Sequence, residues 1–291
     1  MKTGLALSGG GVRGAAHIGV LQALEEQGVE IRAISGTSSG AIVASLYAAG
    51  YTPKELQEIF LAFDTDEAPD GLHPDLFDPD IPGLLRAPVQ LLFHRPLRLR
   101  GLIKGARLER FLRQLFESKG ITRMCDIPLP LAMPAVDIEN ARTVMFVNRT
   151  GLSPERSTDY TTEASPWEAV RASCAFPGVF HPKVWHGRTL CDGGVVCNLP
   201  DRVLRGFGVS RLIAVNLGYC GQRKGGLSNL LDYSSQALNI MSYQITRCVS
   251  GPDCLTILPR IYDVGLLELN QIGECMERGY LAGKEALERF L

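Results

Sequence analysis

Nowhere does the sequence hold the roughly 20 consecutive apolar residues that a membrane-spanning helix needs, so any meeting with lipid is expected from the water side. The first residues carry one lysine and few apolar side chains before Gly9-Gly10-Gly11, too short a run for the apolar region of a signal peptide. An excess of one charge is missing as well. Thirty Lys and Arg face thirty-one Asp and Glu, and a net charge of -1 gives the chain no overall pull toward nucleic acid. The eight cysteines make no CxxC pair and no dense framework, which excludes a disulfide-stapled miniprotein and leaves reduced, buried thiols in a cytoplasmic protein as the expectation. Histidine is scarce, with five in all and none after His186. The remaining composition, 45% hydrophobic and 21% charged over 291 residues, is that of a globular chain and excludes disorder and collagen-like repeats.

Short apolar runs alternate with longer periodic ones. Residues 2–8 read as a buried strand, a glycine-rich turn follows, and residues 14–28 carry helical spacing up to the stop at Gly28. The unit then repeats: a strand over 29–35, the turn Gly36-Thr37-Ser38-Ser39-Gly40, and a helix over 41–50 that is apolar all round and therefore central. Helices are expected over 53–63, 106–120, 229–250 and 270–291, and strands over 129–138, 141–148, 209–218 and 254–259. Such alternation predicts a three-layer α/β/α sandwich with a mainly parallel sheet. Neither a repeat nor a linker divides the chain, so residues 1–291 are read as one domain with its motifs in 4–206 and an extension over 207–291.

Residues 64–105 interrupt the pattern. They are rich in proline, offer no obvious strand, and read as an insertion or lid. Seven Asp and Glu lie in 64–80 with no Lys or Arg, whereas Arg86, Arg95, Arg98, Arg100, Lys104, Arg107, Arg110 and Arg113 follow against a single Glu109. The acidic block lacks the ligand spacing of a calcium loop. The basic and apolar mixture over 84–113 reads first as a solvated segment pairing with the acidic block, and it also fits peripheral contact with a membrane.

Gly9-Gly10-Gly11-Val12-Arg13-Gly14 satisfies GxGxxG between a strand and a helix, where a dinucleotide turn would lie. A ribose-binding acid is wanted about 20 positions on, yet the second strand ends in Ile34-Ser35-Gly36. What stands there is GxSxG, whose flanking glycines, Gly36 and Gly40, allow the sharp strand-to-helix turn that would push the Ser38 hydroxyl out at the sheet edge. Turns after neighbouring parallel strands emerge on one edge, so Gly9, Gly10, Gly11, Arg13 and Gly14 can form an anion nest for a carbonyl oxygen beside Ser38. A base is still required. No histidine follows Asp192-Gly193-Gly194, the most isolated acidic motif, which stands at a strand end.

Taken together these blocks resemble the patatin-like phospholipases. GGGVRG is similar to that family's oxyanion loop, GTSSG to its nucleophile elbow with Ser38, and Asp192-Gly193-Gly194 to its aspartate motif; Ala172 to Pro182, Asn198 and Pro200 fit the blocks around it. The resemblance implies a Ser38-Asp192 dyad that cleaves fatty-acyl esters through an acyl-enzyme, without metal or organic cofactor. It leaves head group, chain length and oligomeric state open. Two other readings stand beside it. A malonyl-type acyltransferase would pair Ser38 with His181 or His186, and a noncatalytic lipid-binding protein would keep the fold alone. His17 reads as a packed helix residue, and His181, His186, Cys191 and Cys197 lack the spacing of a zinc set.

Overall fold

A computed structural model of the chain describes residues 2–62, 78–92, 100–153, 155–218, 228, 230–249, 254–266 and 268–288. The first half runs β1 (Thr3–Leu7), α1 (Ala16–Glu26), β2 (Ile31–Gly36), α2 (Ser39–Ala48), α3 (Pro53–Leu61), α4 (Ile81–Leu92), α5 (Ala106–Ser118), β3 (Leu131–Asp137) and β4 (Arg142–Val147). The second runs β5 (Thr158–Thr161), α6 (Pro166–Ser173), β6 (Lys183–Trp185), β7 (Arg188–Asp192), α7 (Arg202–Gly206), β8 (Arg211–Val215), α8 (Leu230–Val249), β9 (Cys254–Ile257) and α9 (Ile272–Glu288).

Period-2 alternation sorts each strand between two unequal layers. Leu5 and Leu7, Ile34, Leu131 and Met133, and Ile213 and Val215 join a large core with α1, α2, α5, α6 and α9. Their neighbours Ala6, Ala33, Leu212 and Ala214 face the other way and are covered by Leu199, Leu204 and Val209 around α7. The expected three layers are present. The thin side is thin because its strand residues are mostly alanine.

The sheet order is β5-β4-β3-β2-β1-β8-β9, parallel from β3 through β9. β4 is antiparallel to β3 and parallel to β5, and β7 of the β6-β7 hairpin is a second antiparallel partner of β3. β3 divides one flank between two partners. Leu131 and Ala132 pair in parallel with β2, while Ala135 to Asp137 pair in antiparallel with β7, the opposite flank being taken by β4. β2 and β7 therefore run toward each other along β3 and stop nose to nose. Pro134 stands at the gap, its carbonyl toward Gly193. A proline is ordinarily excluded from a central strand because it has no N–H for the ladder; here neither β2 nor β7 pairs with that position.

Residues beyond 206 complete the sheet through β8 and β9, and α9 lies on α1 at a crossing where a methyl on Gly19 or Gly279 would strike the other helix's main chain. Four elements go beyond the sequence reading: α4, α6, β5 and the three-residue β6. α4 lies inside the proline-rich stretch, and its start is conventional: Asp80 Oδ1 accepts the Gly83 N–H and Pro82 sits in the first turn, where no N–H is needed. α6 opens with a capping box made by Ser165 and Glu168 behind Pro166. β5 is a four-residue edge strand too short to show a period. Residues 64–77 of the acidic block, with His73, His94, Arg95 and Arg98, lie outside the described residues.

Candidate active site

β1 and β2 are parallel neighbours with Leu7 opposite Gly36, so the turns that follow them leave the same edge side by side. β7 arrives at that edge from the opposite direction and ends in Asp192. Three strand ends thus bring the glycine loop, Ser38 and Asp192 to one place, and all of them line one cavity.

Ser38 is the N-cap of α2 and has φ 55° and ψ -124°, a backbone state that costs a non-glycine residue about 1–3 kcal/mol and persists only where its surroundings enforce it. The enforcement is visible. A methyl on Gly40 would lie 2.5 Å from the Leu7 carbonyl oxygen and 2.6 Å from that of Ser8, and one on Gly36 would strike the Gly40 carbonyl. Thr37 Oγ1 donates to the Cys197 carbonyl at 2.8 Å and Ser35 Oγ to that of Pro200 at 2.6 Å, tying the turn to the chain just past Asp192. Ser38 N–H donates to Ser173 Oγ at 3.0 Å. Sequence reasoning gave Ser173, Ser35 and Thr37 no role; buried hydroxyls beside the motifs were the only signal.

In the glycine loop most polar groups are spoken for. Ser8 N–H donates to the Val215 carbonyl, Gly9 N–H to that of Asn198 and Val12 N–H to that of Leu266. Among the described residues no acceptor takes the amides of Gly10 and Gly11, which line the cavity. Arg13 is buried, and its Nε donates to the Val264 carbonyl at 2.7 Å, so its guanidinium ties the loop to the segment before α9. Gly14 packs against Ser39, where a methyl would lie 2.5 Å from Cβ.

Asp192 is 1% exposed. Its Oδ1 accepts the Gly194 N–H at 2.7 Å, and its Oδ2 has no hydrogen-bond partner among the described residues. Burial pushes the carboxyl up to about 6, against the pull of hydrogen bonding from Ser38 and from the Gly194 N–H. Ser38 and the carboxyl line the same cavity, and no hydrogen bond joins the hydroxyl to Oδ2. Catalytic hydrogen bonds are often long before substrate arrives. Gly193 lies against the Pro134 carbonyl, leaving no room for a side chain. The Cys174 thiol borders the same space; burial first, then the charge of Asp192, drive its pKa well above the ordinary thiol range.

The cavity measures about 740 Å³, within the range of sites that enclose a small ligand. Away from Ser38 its walls are apolar: Ile42, Leu46, Phe60, Leu108, Phe111 and Leu112 lie along α2, α3 and α5. α8 contributes one helical face, with Leu238, Ser242 and Thr246 four residues apart. No described histidine lines the cavity. His181 lies 3.3 Å from Asp80, and His186 is exposed and stacks on Trp185. Among the described residues no three His, Cys, Asp or Glu gather as a metal cluster would require.

A family model described as Patatin-like phospholipase matches residues 5–204. Lysophospholipase NTE1 of Coccidioides immitis (strain RS) is 28% identical over 313 residues, covering 99% of this chain but 18% of that protein. The chain thus spans about a fifth of the length of such curated relatives. The uncharacterized protein YqhO of Bacillus subtilis (strain 168) is 34% identical over 202 residues, covering 66% of this chain and 63% of that one. Among solved structures, VipD from Legionella pneumophila superposes with a TM-score of 0.53 at 17% identity, covering 99% of this chain and 67% of that one, a likeness of fold alone.

Proposed function

We infer the activity from one premise: the chain belongs to the patatin-like phospholipase family. It acts as a serine hydrolase of fatty-acyl esters, with Ser38 as nucleophile and Asp192 as base. The observation that carries this reading is the Asp192 carboxyl, buried at the cavity edge beside Ser38, with one oxygen held by Gly194 and the other unpartnered. A carboxylate at its ordinary pKa is a poor base for a hydroxyl; desolvation brings this one closer to the task.

In the reaction Asp192 Oδ2 takes the Ser38 proton as Ser38 Oγ bonds to the ester carbonyl carbon. The carbonyl electron pair moves onto oxygen, and the Gly10 and Gly11 amides receive that oxyanion. Collapse breaks the bond to the alcohol, which leaves with the proton returned by Asp192, and Ser38 holds the acyl group. Water then gives a proton to Asp192 and attacks the acyl carbon, and the fatty acid departs as Ser38 recovers its proton. The apolar wall along α2, α3 and α5 takes the hydrocarbon chain.

The relatives named lysophospholipases favour a lysophospholipid substrate. Release of fatty acid from lysophospholipids, phospholipids and short p-nitrophenyl esters tests this: wild type releases it, Ser38→Ala does not, and a fluorophosphonate labels only wild type. His181→Ala and His186→Ala stay active; loss of turnover there would return the acyltransferase reading. Absence of any Ser38-dependent label would leave a lipid-binding protein.

No described helix is long and apolar enough to cross a membrane. Contact is instead peripheral, through α4 and the start of α5. Ile81 and Leu85 are 56% and 71% exposed, next to exposed Arg86, with exposed Arg100, Lys104 and Arg110 following. Binding to anionic vesicles should exceed binding to zwitterionic ones and fall in Leu85→Glu. The buried free thiols of Cys174, Cys191 and Cys275 suit a reducing, cytoplasmic setting.

A further inference from the structure

Two buried side chains behind the glycine loop, Ser8 and His17, touch no part of the cavity, yet each is hydrogen-bonded to a carbonyl of that loop. The Leu217 N–H donates to Ser8 Oγ at 2.8 Å. An amide can only donate, so Ser8 Oγ is the acceptor there and its own proton is left for the Gly9 carbonyl, 3.2 Å away. His17 Nε2 lies 2.8 Å from the Ser8 carbonyl, which can only accept, so the ring proton sits on Nε2. Burial lowers the ring's pKa to about 4, so it stays in that neutral form.

The consequence lies in the planarity of the peptide unit. Within one plane the C=O and the next N–H point in opposite directions. The Ser8-Gly9 plane is held at both ends, by His17 on its oxygen and by the Asn198 carbonyl on its N–H. The Gly9-Gly10 plane is held at one end only, by the Ser8 hydroxyl on its oxygen, which aims the Gly10 N–H the other way. Glycine lets such a plane turn over at little cost.

We propose that Ser8 and His17 are positioning residues that fix the glycine loop with the Gly10 N–H aimed at the oxyanion formed on the substrate. This rests on the hydrolase reading above. A donor that is loosely aimed still binds substrate, but it no longer discriminates in favour of the transition state.

The test measures kcat and KM on a p-nitrophenyl ester, and the inhibition constant of an alkyl trifluoromethyl ketone of matching chain length, which adds the Ser38 oxygen and presents an oxyanion. In Ser8→Ala and His17→Leu, kcat should fall about 10- to 100-fold, less than or equal to outright loss of one oxyanion donor, with KM within about twofold. Ketone binding should weaken in proportion. Ser8→Thr and His17→Gln, which keep a hydroxyl and a side-chain N–H, should recover most of the rate. Ser8→Cys, near in shape but a weak donor, carries the same prediction as Ser8→Ala if the alanine variant does not fold. Unchanged kcat in folded Ser8 and His17 variants overturns the proposal, as does a loss shared by kcat and KM with ketone binding intact. An inactive wild type would defeat the hydrolase reading itself, whereas active wild type with equally active variants defeats only the positioning.

Discussion

Around Ser38 the chain is held residue by residue: Ser8, Ser35, Thr37 and Ser173 are fully buried, and each hydroxyl bonds to main chain. On the far side of the cavity the rules change. α8 offers a face to the cavity while leaving Tyr233, Ile240 and Met241 exposed, and α4, joined to the lining through the pairing of Asp80 with Leu102, leaves Ile81, Leu84 and Leu85 to solvent. The contrast fits the proposed division of labour. Bond making needs groups fixed to a fraction of an ångström, whereas a hydrocarbon chain is held by area and tolerates repacking.

Substitutions on the two sides should therefore differ in kind. The largest effect is expected in Asp192→Asn, with kcat reduced about 10³- to 10⁴-fold, comparable to loss of a triad member. The same change should stabilise the fold. Because the folded pKa of about 6 lies above the ordinary carboxylate value, the folded state holds this proton more tightly than the unfolded chain. Wild-type stability contributed by this group therefore declines as pH rises from about 4 to about 6, reaching a penalty of about 3 kcal/mol. Melting curves of the two proteins should coincide near pH 4 and separate in favour of Asp192→Asn above pH 6. If the variant is not stabilised there, the carboxyl is not desolvated as described. Wild-type kcat/KM should rise about tenfold per pH unit up to about pH 6 and then level off, as an ionised base requires; a profile flat down to pH 4 would contradict it.

Next in size is Arg171→Met. The buried Arg171 guanidinium bonds to the carbonyls of Lys104, Gly105 and His181, clasping the end of the proline-rich segment to α6. Its loss should cost about 2–4 kcal/mol, read by denaturant unfolding, with a rise in KM larger than the fall in kcat. The smallest effect belongs to the apolar wall. Phe111→Ala should shift the preferred acyl length by a few carbons and change kcat on the best ester by less than about threefold; a loss as large as that of Asp192→Asn would erase the distinction between the two sides.

The legible part of the molecule is the part with local signals. Glycines at 11, 36 and 40 stand where a methyl would strike main chain, and alternating strands gave the parallel order from which Ser38 and the glycine loop had to be neighbours. Asp192 was readable as a motif, but not the antiparallel approach of β7, since register between distant strands leaves no mark in either one alone. Pro134 was the overlooked sign of it. α4 was hidden by its prolines although Asp80 and Pro82 spell a helix start. His17 was legible only as a packed helix residue, and the bonds of Ser8 and His17 left no mark because their partners are main-chain groups, which every residue carries.

β3 works as a gauge block. It lends Leu131 and Ala132 to one strand and Ala135 to Asp137 to the other, so the distance between Ser38 and Asp192 is set by a count of its residues. Adding or deleting one residue at Pro134 would displace the aspartate strand by about 3.3 Å and turn its side chains to the opposite face. Loops elsewhere in such a chain can drift in length over evolutionary time; the middle of this strand has no such freedom.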